Sequence, residues 1–127
     1  MLVDDEKIVI DSLRFIIEKN FESVQIVGIA RTGREAIEKV DSMLPNIVFM
    51  DIRMPGINGI EAIKEIKKRH RDIIFIVLTA FEQFDFAKES IQLGVFEYLL
   101  KPVNRTKVVE VIERASRFIK GEREKRK

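Results

Sequence analysis

The chain has no cysteine and no tryptophan, and among its 127 residues only one histidine, one tyrosine and three prolines. Without thiols neither a disulfide framework nor a thiolate metal centre can form, a composition that suits a reducing compartment. The lone His70 stands in the charged run Lys67-Lys-Arg-His-Arg71. A zinc site, which wants His or Cys ligands, is therefore not available. The longest apolar runs, residues 73–78 and 47–50, fall far short of the roughly 20 residues of a membrane span. Asp4 and Asp5 interrupt the start, where a signal peptide would need an apolar stretch. These absences lead us to expect a cytoplasmic protein with no membrane contact.

The length fits one domain with a single core. Charged residues make up 35% of the chain, above the usual level of about 25%. The net charge is only +2, with the basic excess gathered in Lys120-Gly-Glu-Arg-Glu-Lys-Arg-Lys127. No aromatic or base-reading element accompanies this run, so it reads as a solvated helix end or the start of a linker rather than a nucleic-acid surface. The expected division is a domain over residues 1–119 and a charged tail over 120–127.

Strand-like and helix-like patterns alternate, which argues for a parallel sheet built from βαβ units. Met1-Leu2-Val3 reads as the end of a first strand, and helical spacing follows over residues 8–17. Residues 24–29 are β-branched and short, hence a second strand. Thr32-Gly-Arg-Glu35 and Asn58-Gly-Ile-Glu61 are capping boxes opening helices over 34–43 and 60–69, the first ended by Pro45. Residues 46–50 and 73–78 are continuously apolar, the pattern of strands buried on both faces. A weaker helix over 83–93 closed by Gly94, a short strand over 96–100 and a helix over 104–119 capped by Asn104 complete five strands and five helices. The first strand is too short for a central one, which points to a chain that begins late and to a weak place in the fold.

Asp4-Asp5, Asp51, Thr79 and Lys101 each stand where an apolar run ends. In an open parallel sheet the ligand crevice lies outside the carboxyl ends of the strands, so these groups would converge there. Singly they are ordinary: acids at strand ends are common turn residues, threonine is a common strand residue, and a lysine can be a surface charge. Jointly, three close carboxylates repel and call for a hard divalent cation, for which Mg²⁺ fits better than calcium. Lys101 at a half-buried strand end would pair with Asp51. Pro102 after it could take a cis bond.

The Val-Asp-Asp-Glu start, Met-Asp51-Ile-Arg-Met-Pro-Gly-Ile-Asn-Gly59, Leu-Thr79-Ala and Tyr98-Leu-Leu-Lys101-Pro closely resemble the receiver domain of two-component response regulators, over about residues 1–119. The resemblance implies a flavodoxin-like α/β fold with strand order 2-1-3-4-5. It makes Asp51 the phosphoacceptor, supplied by a phosphohistidine on a sensor histidine kinase. Asp5, Asp51 and the Arg53 main-chain carbonyl would hold Mg²⁺ (or Mn²⁺), with Asp4 acting through water, and Thr79 and Lys101 would contact the phosphoryl oxygens. Thr79 and Tyr98 would form the switch, and the face made by the fourth helix, fifth strand and fifth helix the output surface, with homodimerisation through that face. Arg53 and Phe81, two positions beyond the acceptor and the threonine, would slow self-dephosphorylation by bordering the path of water. Phe81, Phe84 and Phe86 serve either the core or a dimer surface.

The stretch from Thr79 to Leu100 resembles, more loosely, receivers joined to AraC-type helix-turn-helix domains, which would place DNA binding in a domain outside this chain. Such a module is a switch, not an enzyme turning over a free substrate. An Asp-nucleophile phosphatase of the haloacid dehalogenase type would want an acid where Arg53 stands. A flavin carrier would want small or hydroxylated residues in place of Asp-Asp-Glu. A receiver that no longer accepts phosphate would not keep the full acidic set.

Overall fold

The computed structural model describes residues 1–80 and 93–125. In chain order these form β1 (Leu2–Val3), α1 (Lys7–Asn20), β2 (Ile29–Ala30), α2 (Gly33–Met43), β3 (Ile47–Asp51), α3 (Gly59–Lys67), β4 (Ile74–Thr79), β5 (Glu97–Leu100) and α4 (Arg105–Lys125). All five strands run parallel in the order β2-β1-β3-β4-β5. The expected flavodoxin-like α/β fold is what is found. The helix expected over 83–93 lies, save for Leu93, outside the described residues, as do Phe81, Phe84 and Phe86.

The period-two alternation of the strands sorts the core into two layers. Val3, Val48, Met50, Phe75 and Val77 face α2 and α3, where Ala36, Val40, Ala62, Ile63 and Ile66 meet them. Leu2, Phe49, Ile74, Ile76, Leu78 and Leu99 face α1 and α4, against Leu13, Ile17, Val108 and Ile112. β4 is buried along its whole length, which explains why its sequence shows no polar alternation.

Helix starts follow local chemistry. Asn58 and Glu61 form a complete capping box at α3. At α2 the Thr32 hydroxyl accepts from the Glu35 N–H, but the Glu35 carboxylate reaches one residue further back, to the Arg31 N–H. α2 ends on Leu44 in the left-handed region, just before Pro45. α4 runs on through residues 120–125 without a break at 119.

One strand departs from expectation. Residues 24–29 read as a six-residue strand, yet β2 is only Ile29–Ala30. A strand needs a neighbour to pair with, and β1 offers two residues, Leu2 opposite Ile29 and Val3 opposite Ala30. Upstream of Gly28, whose carbonyl still accepts from the Leu2 N–H at 3.1 Å, the chain has no strand partner among the described residues, although Val24 and Ile26 still pack against the core.

Candidate functional site

The carboxyl ends of β1, β3, β4 and β5 deliver Asp4, Asp51, Thr79 and Lys101 to one end of the sheet. Register does this directly: Val3 lies beside Met50, Asp51 beside Leu78, and Thr79 beside Leu100. Asp4, Asp51 and Thr79 are buried. A crevice of about 520 Å³ opens over them, lined by Asp5, Glu6, Asp51, Arg53, Pro55 and Lys101, among others.

Two close approaches shape the crevice floor. Gly59 opens α3 so near β3 that a Cβ there would stand 2.0 Å from the Asp51 carbonyl oxygen, and its N–H donates to the Ile52 carbonyl at 2.8 Å. Only glycine fits such a contact. The Arg31 guanidinium, from the end of β2, donates to the Asp5 carbonyl at 2.9 Å and steadies that loop.

Lys101 is the electrostatic centre. Its Nζ lies 2.9 Å from Asp4 Oδ2, 3.0 Å from Glu6 Oε1 and 3.2 Å from Asp51 Oδ1. The Lys101-Pro102 bond is cis. The expected pairing with Asp51 is present, and Asp4 stands closer still. Burial alone would lower the Lys101 pKa, but Asp4, Glu6 and Asp51 outweigh it, so the ammonium is held above its ordinary value.

The acids are pushed the other way. Burial, followed by the Asp4 charge, drives Asp51 up to about 7, against the pull of Lys101 and the Arg53 N–H. Asp4 is raised as well, by burial first, with the Glu6 N–H and Lys101 opposing.

Asp51 has one satisfied and one orphaned oxygen. Oδ1 accepts from the Arg53 N–H at 3.3 Å, whereas Oδ2 is buried and accepts no hydrogen bond from the described residues. A buried acceptor without a partner is costly, and a cation or an incoming electrophile would relieve it. Carboxylate oxygens of Asp4, Asp5, Glu6 and Asp51 all lie within 4.8 Å of one another. An all-oxygen donor set opening on a crevice suits a hard divalent ion that keeps some of its waters.

The remaining expected residues fall into place differently. The Thr79 hydroxyl donates to the Ala80 carbonyl at 3.1 Å. Tyr98 lies on β5 and is 38% exposed. Phe81 is outside the described residues. His70 is paired with Asp41 through Nε2 and Oδ1 at 2.8 Å. Glu6 and Gly59 carried no role in the sequence reading. A third acid after Asp4-Asp5 was the one available signal for Glu6; the glycine that closes the Pro-Gly-Ile-Asn-Gly59 run was the signal for the other.

Comparison with known proteins agrees with this geometry. The family model of the response regulator receiver domain matches residues 1–113. The chain is 40% identical over 113 residues to the uncharacterized transcriptional regulatory protein YesN of Bacillus subtilis (strain 168), covering 89% of this chain and 31% of YesN. It is 38% identical to the chemotaxis protein CheY of Thermotoga maritima, covering 92% of this chain and 96% of CheY. Among solved structures, the REC domain of AraT, a response regulator from Geobacillus stearothermophilus, superposes with a TM-score of 0.90 at 30% identity, over 96% of this chain and 95% of that one. The chain thus spans under a third of YesN and nearly all of CheY. With its fold, strand order and acidic crevice in agreement, the chain belongs to the receiver domain family of two-component response regulators.

Proposed function

We propose that Asp51 accepts a phosphoryl group from a phosphohistidine on a sensor histidine kinase, and that the resulting charge switches an output surface. The observation that carries this reading is the orphaned, buried Oδ2 of Asp51, in a carboxylate that lines the crevice and whose other oxygen is held by the Arg53 N–H and Lys101. An Asp51 oxygen attacks phosphorus, the bond from phosphorus to the donor nitrogen breaks, and an acyl phosphate forms. Lys101 stands where the transferred oxygens gather charge, and a fixed cation there lowers the barrier without reorganisation.

Asp5, Asp51 and the Arg53 main-chain carbonyl would hold Mg²⁺ (or Mn²⁺), with Asp4 acting through water. The ion would offset the crowded carboxylates and the developing phosphoryl charge. Thr79, now bonded to Ala80, would turn its hydroxyl to the phosphoryl oxygens, and the exposed Tyr98 ring would move into the space released. The surface so altered comprises the region expected to be helical over 83–93, together with β5 and α4. Homodimerisation would use that face. DNA binding would belong to a further domain, the loose likeness to AraC-type receivers giving its class. Arg53, which lines the crevice, and Phe81 would slow self-dephosphorylation. Among the described residues no helix is long and apolar enough to cross a membrane, and we place the module in the cytoplasm.

The test is incubation with acetyl phosphate, with and without Mg²⁺, followed by intact mass. The wild type is expected to gain one phosphoryl only with metal, and Asp51→Asn none. Equal gain in the mutant, or gain without metal, overturns the assignment.

A further inference from the structure

An ammonium has three hydrogens to donate, and Lys101 faces three carboxylates: Asp4 at 2.9 Å, Glu6 at 3.0 Å and Asp51 at 3.2 Å. Of these contacts the one to Glu6 is a hydrogen bond, whereas Asp4 and Asp51 meet the ammonium as ion pairs. A phosphoryl oxygen on Asp51 must therefore compete for Lys101 with the carboxylates already around it.

The three are not equally free to give way. The side chains of Asp4 and Asp51 are 0% and 2% exposed, whereas that of Glu6 is 55% exposed. Asp4 is fixed further by accepting from the Glu6 N–H at 2.9 Å, and Asp51 by the Arg53 N–H. Glu6 occupies the N-cap position of α1, yet its side chain makes no cap hydrogen bond; its carboxylate reaches Lys101, 95 positions away in the chain. An exposed ion pair of this kind opens at little cost, whereas breaking a buried one leaves a charge stranded.

We infer that Glu6 is an exchangeable counter-ion: it holds Lys101 while Asp51 is unmodified and yields it to the phosphoryl oxygen as transfer proceeds. This rests on the reading of Asp51 as acceptor. Glu6 is a positioning residue, acting through Lys101 without touching phosphorus. In the transfer from acetyl phosphate an Asp51 oxygen bonds to phosphorus, and acetate leaves with the electrons of the broken P–O bond. Lys101 exchanges Glu6 for a phosphoryl oxygen, and no proton moves. Glu6 also competes electrostatically with the anionic donor for the same cation.

The experiment is the rate of phosphoryl incorporation against acetyl phosphate concentration at saturating Mg²⁺ and low salt, for wild type, Glu6→Gln and Glu6→Asp. Glu6→Gln is expected to lower the half-saturating concentration about two- to fivefold, the span of an exposed ion pair, with the maximal rate little changed. Glu6→Asp keeps the charge but is one methylene too short to reach Lys101, and is expected to follow Glu6→Gln. An unchanged half-saturation in Glu6→Gln overturns the inference. So does a Glu6→Asp variant that matches wild type, which would reduce Glu6 to a long-range charge. A higher Mg²⁺ requirement in Glu6→Gln overturns it too, by making Glu6 a metal ligand. Absence of incorporation in the wild type overturns the acceptor reading and this inference together, whereas incorporation with no Glu6 effect overturns this inference alone.

Discussion

The two ends of the sheet are built on opposite terms. At the carboxyl end, the strand-end side chains Asp4, Asp51, Thr79 and Lys101 each have a hydrogen bond or an ion pair, and a glycine lets α3 press against β3. At the amino end, the backbone of residues 24–27 makes no hydrogen bond with any other described residue. Beside it lies a cavity of about 320 Å³ lined by Ile17, Val24, Ile26, Ile47 and Ile112, among others. The Met1 ammonium sits at this end, donating to the Ile47 carbonyl at 2.9 Å. Burial holds its pKa down to about 6. The comparison teaches that charge is crowded where the chemistry is and pairing is incomplete where it is not. The chemical end is crowded with charge, and at the opposite end residues 24–27 have no ladder partner among the described residues.

The sharpest way to break the comparison is Gly59→Ala. With the Asp51 carbonyl 2.0 Å from the new Cβ, α3 must back away, and a loss of about 3 kcal/mol in urea unfolding is expected. A change near zero would show that the carboxyl end is less tightly fitted than described.

Asp51→Asn should act in the other direction. The folded pKa of Asp51 is raised from 3.8 to about 7, so its ionisation opposes folding. That cost is absent below about pH 4, grows between pH 4 and 7 and is complete above pH 7. The substitution is therefore expected to stabilise by on the order of 2 kcal/mol at pH 8 and by almost nothing at pH 4. Mg²⁺ should raise the Tm of wild type at pH 8 and leave Asp51→Asn nearly unmoved. A destabilised Asp51→Asn at pH 8 would refute the account of crowded charge.

The amino end predicts the reverse pH dependence. The Met1 amine falls from 8.0 to about 6 on folding, so its protonated form opposes folding. That cost is full below pH 6 and lost by pH 8. Joining four alternating apolar and polar residues to Met1 would replace the buried ammonium by an amide, pair residues 24–27 and fill the cavity. An increase of about 1–2 kcal/mol is expected, after the ordering entropy of the added residues is set against the apolar burial. A glycine-serine extension of equal length should give none of it. Equal effects of the two extensions would show that residues 24–27 lack nothing. The smallest effect is expected for Ile26→Ala, under about 1 kcal/mol by thermal unfolding, because Ile26 is only half-buried beside open space.

How much of this was legible follows the same division. The continuous apolar runs of β3 and β4 and the Asn58 capping box are local signals, and each names its element. The site was legible because strand ends converge by topology, so Asp4, Asp5, Asp51, Thr79 and Lys101 could be gathered without coordinates. β2 was misjudged because β-branched residues state a preference, whereas a ladder also needs a neighbour, and no property of residues 24–29 reports how long β1 is. Glu6 was missed for a related reason: a contact 95 positions distant leaves no period and no spacing. Gly59 shows its purpose only when the backbone beside it is seen.

β1 joins the acidic loop to both layers of the core. Its two residues divide between the layers, Leu2 to the side of α1 and α4, Val3 to the side of α2 and α3. On either side they are bonded to β2 and β3. Asp4 and Asp5 follow without an intervening residue. The acidic loop and the two helical layers therefore share one foothold, Leu2 on one side of the sheet and Val3 on the other.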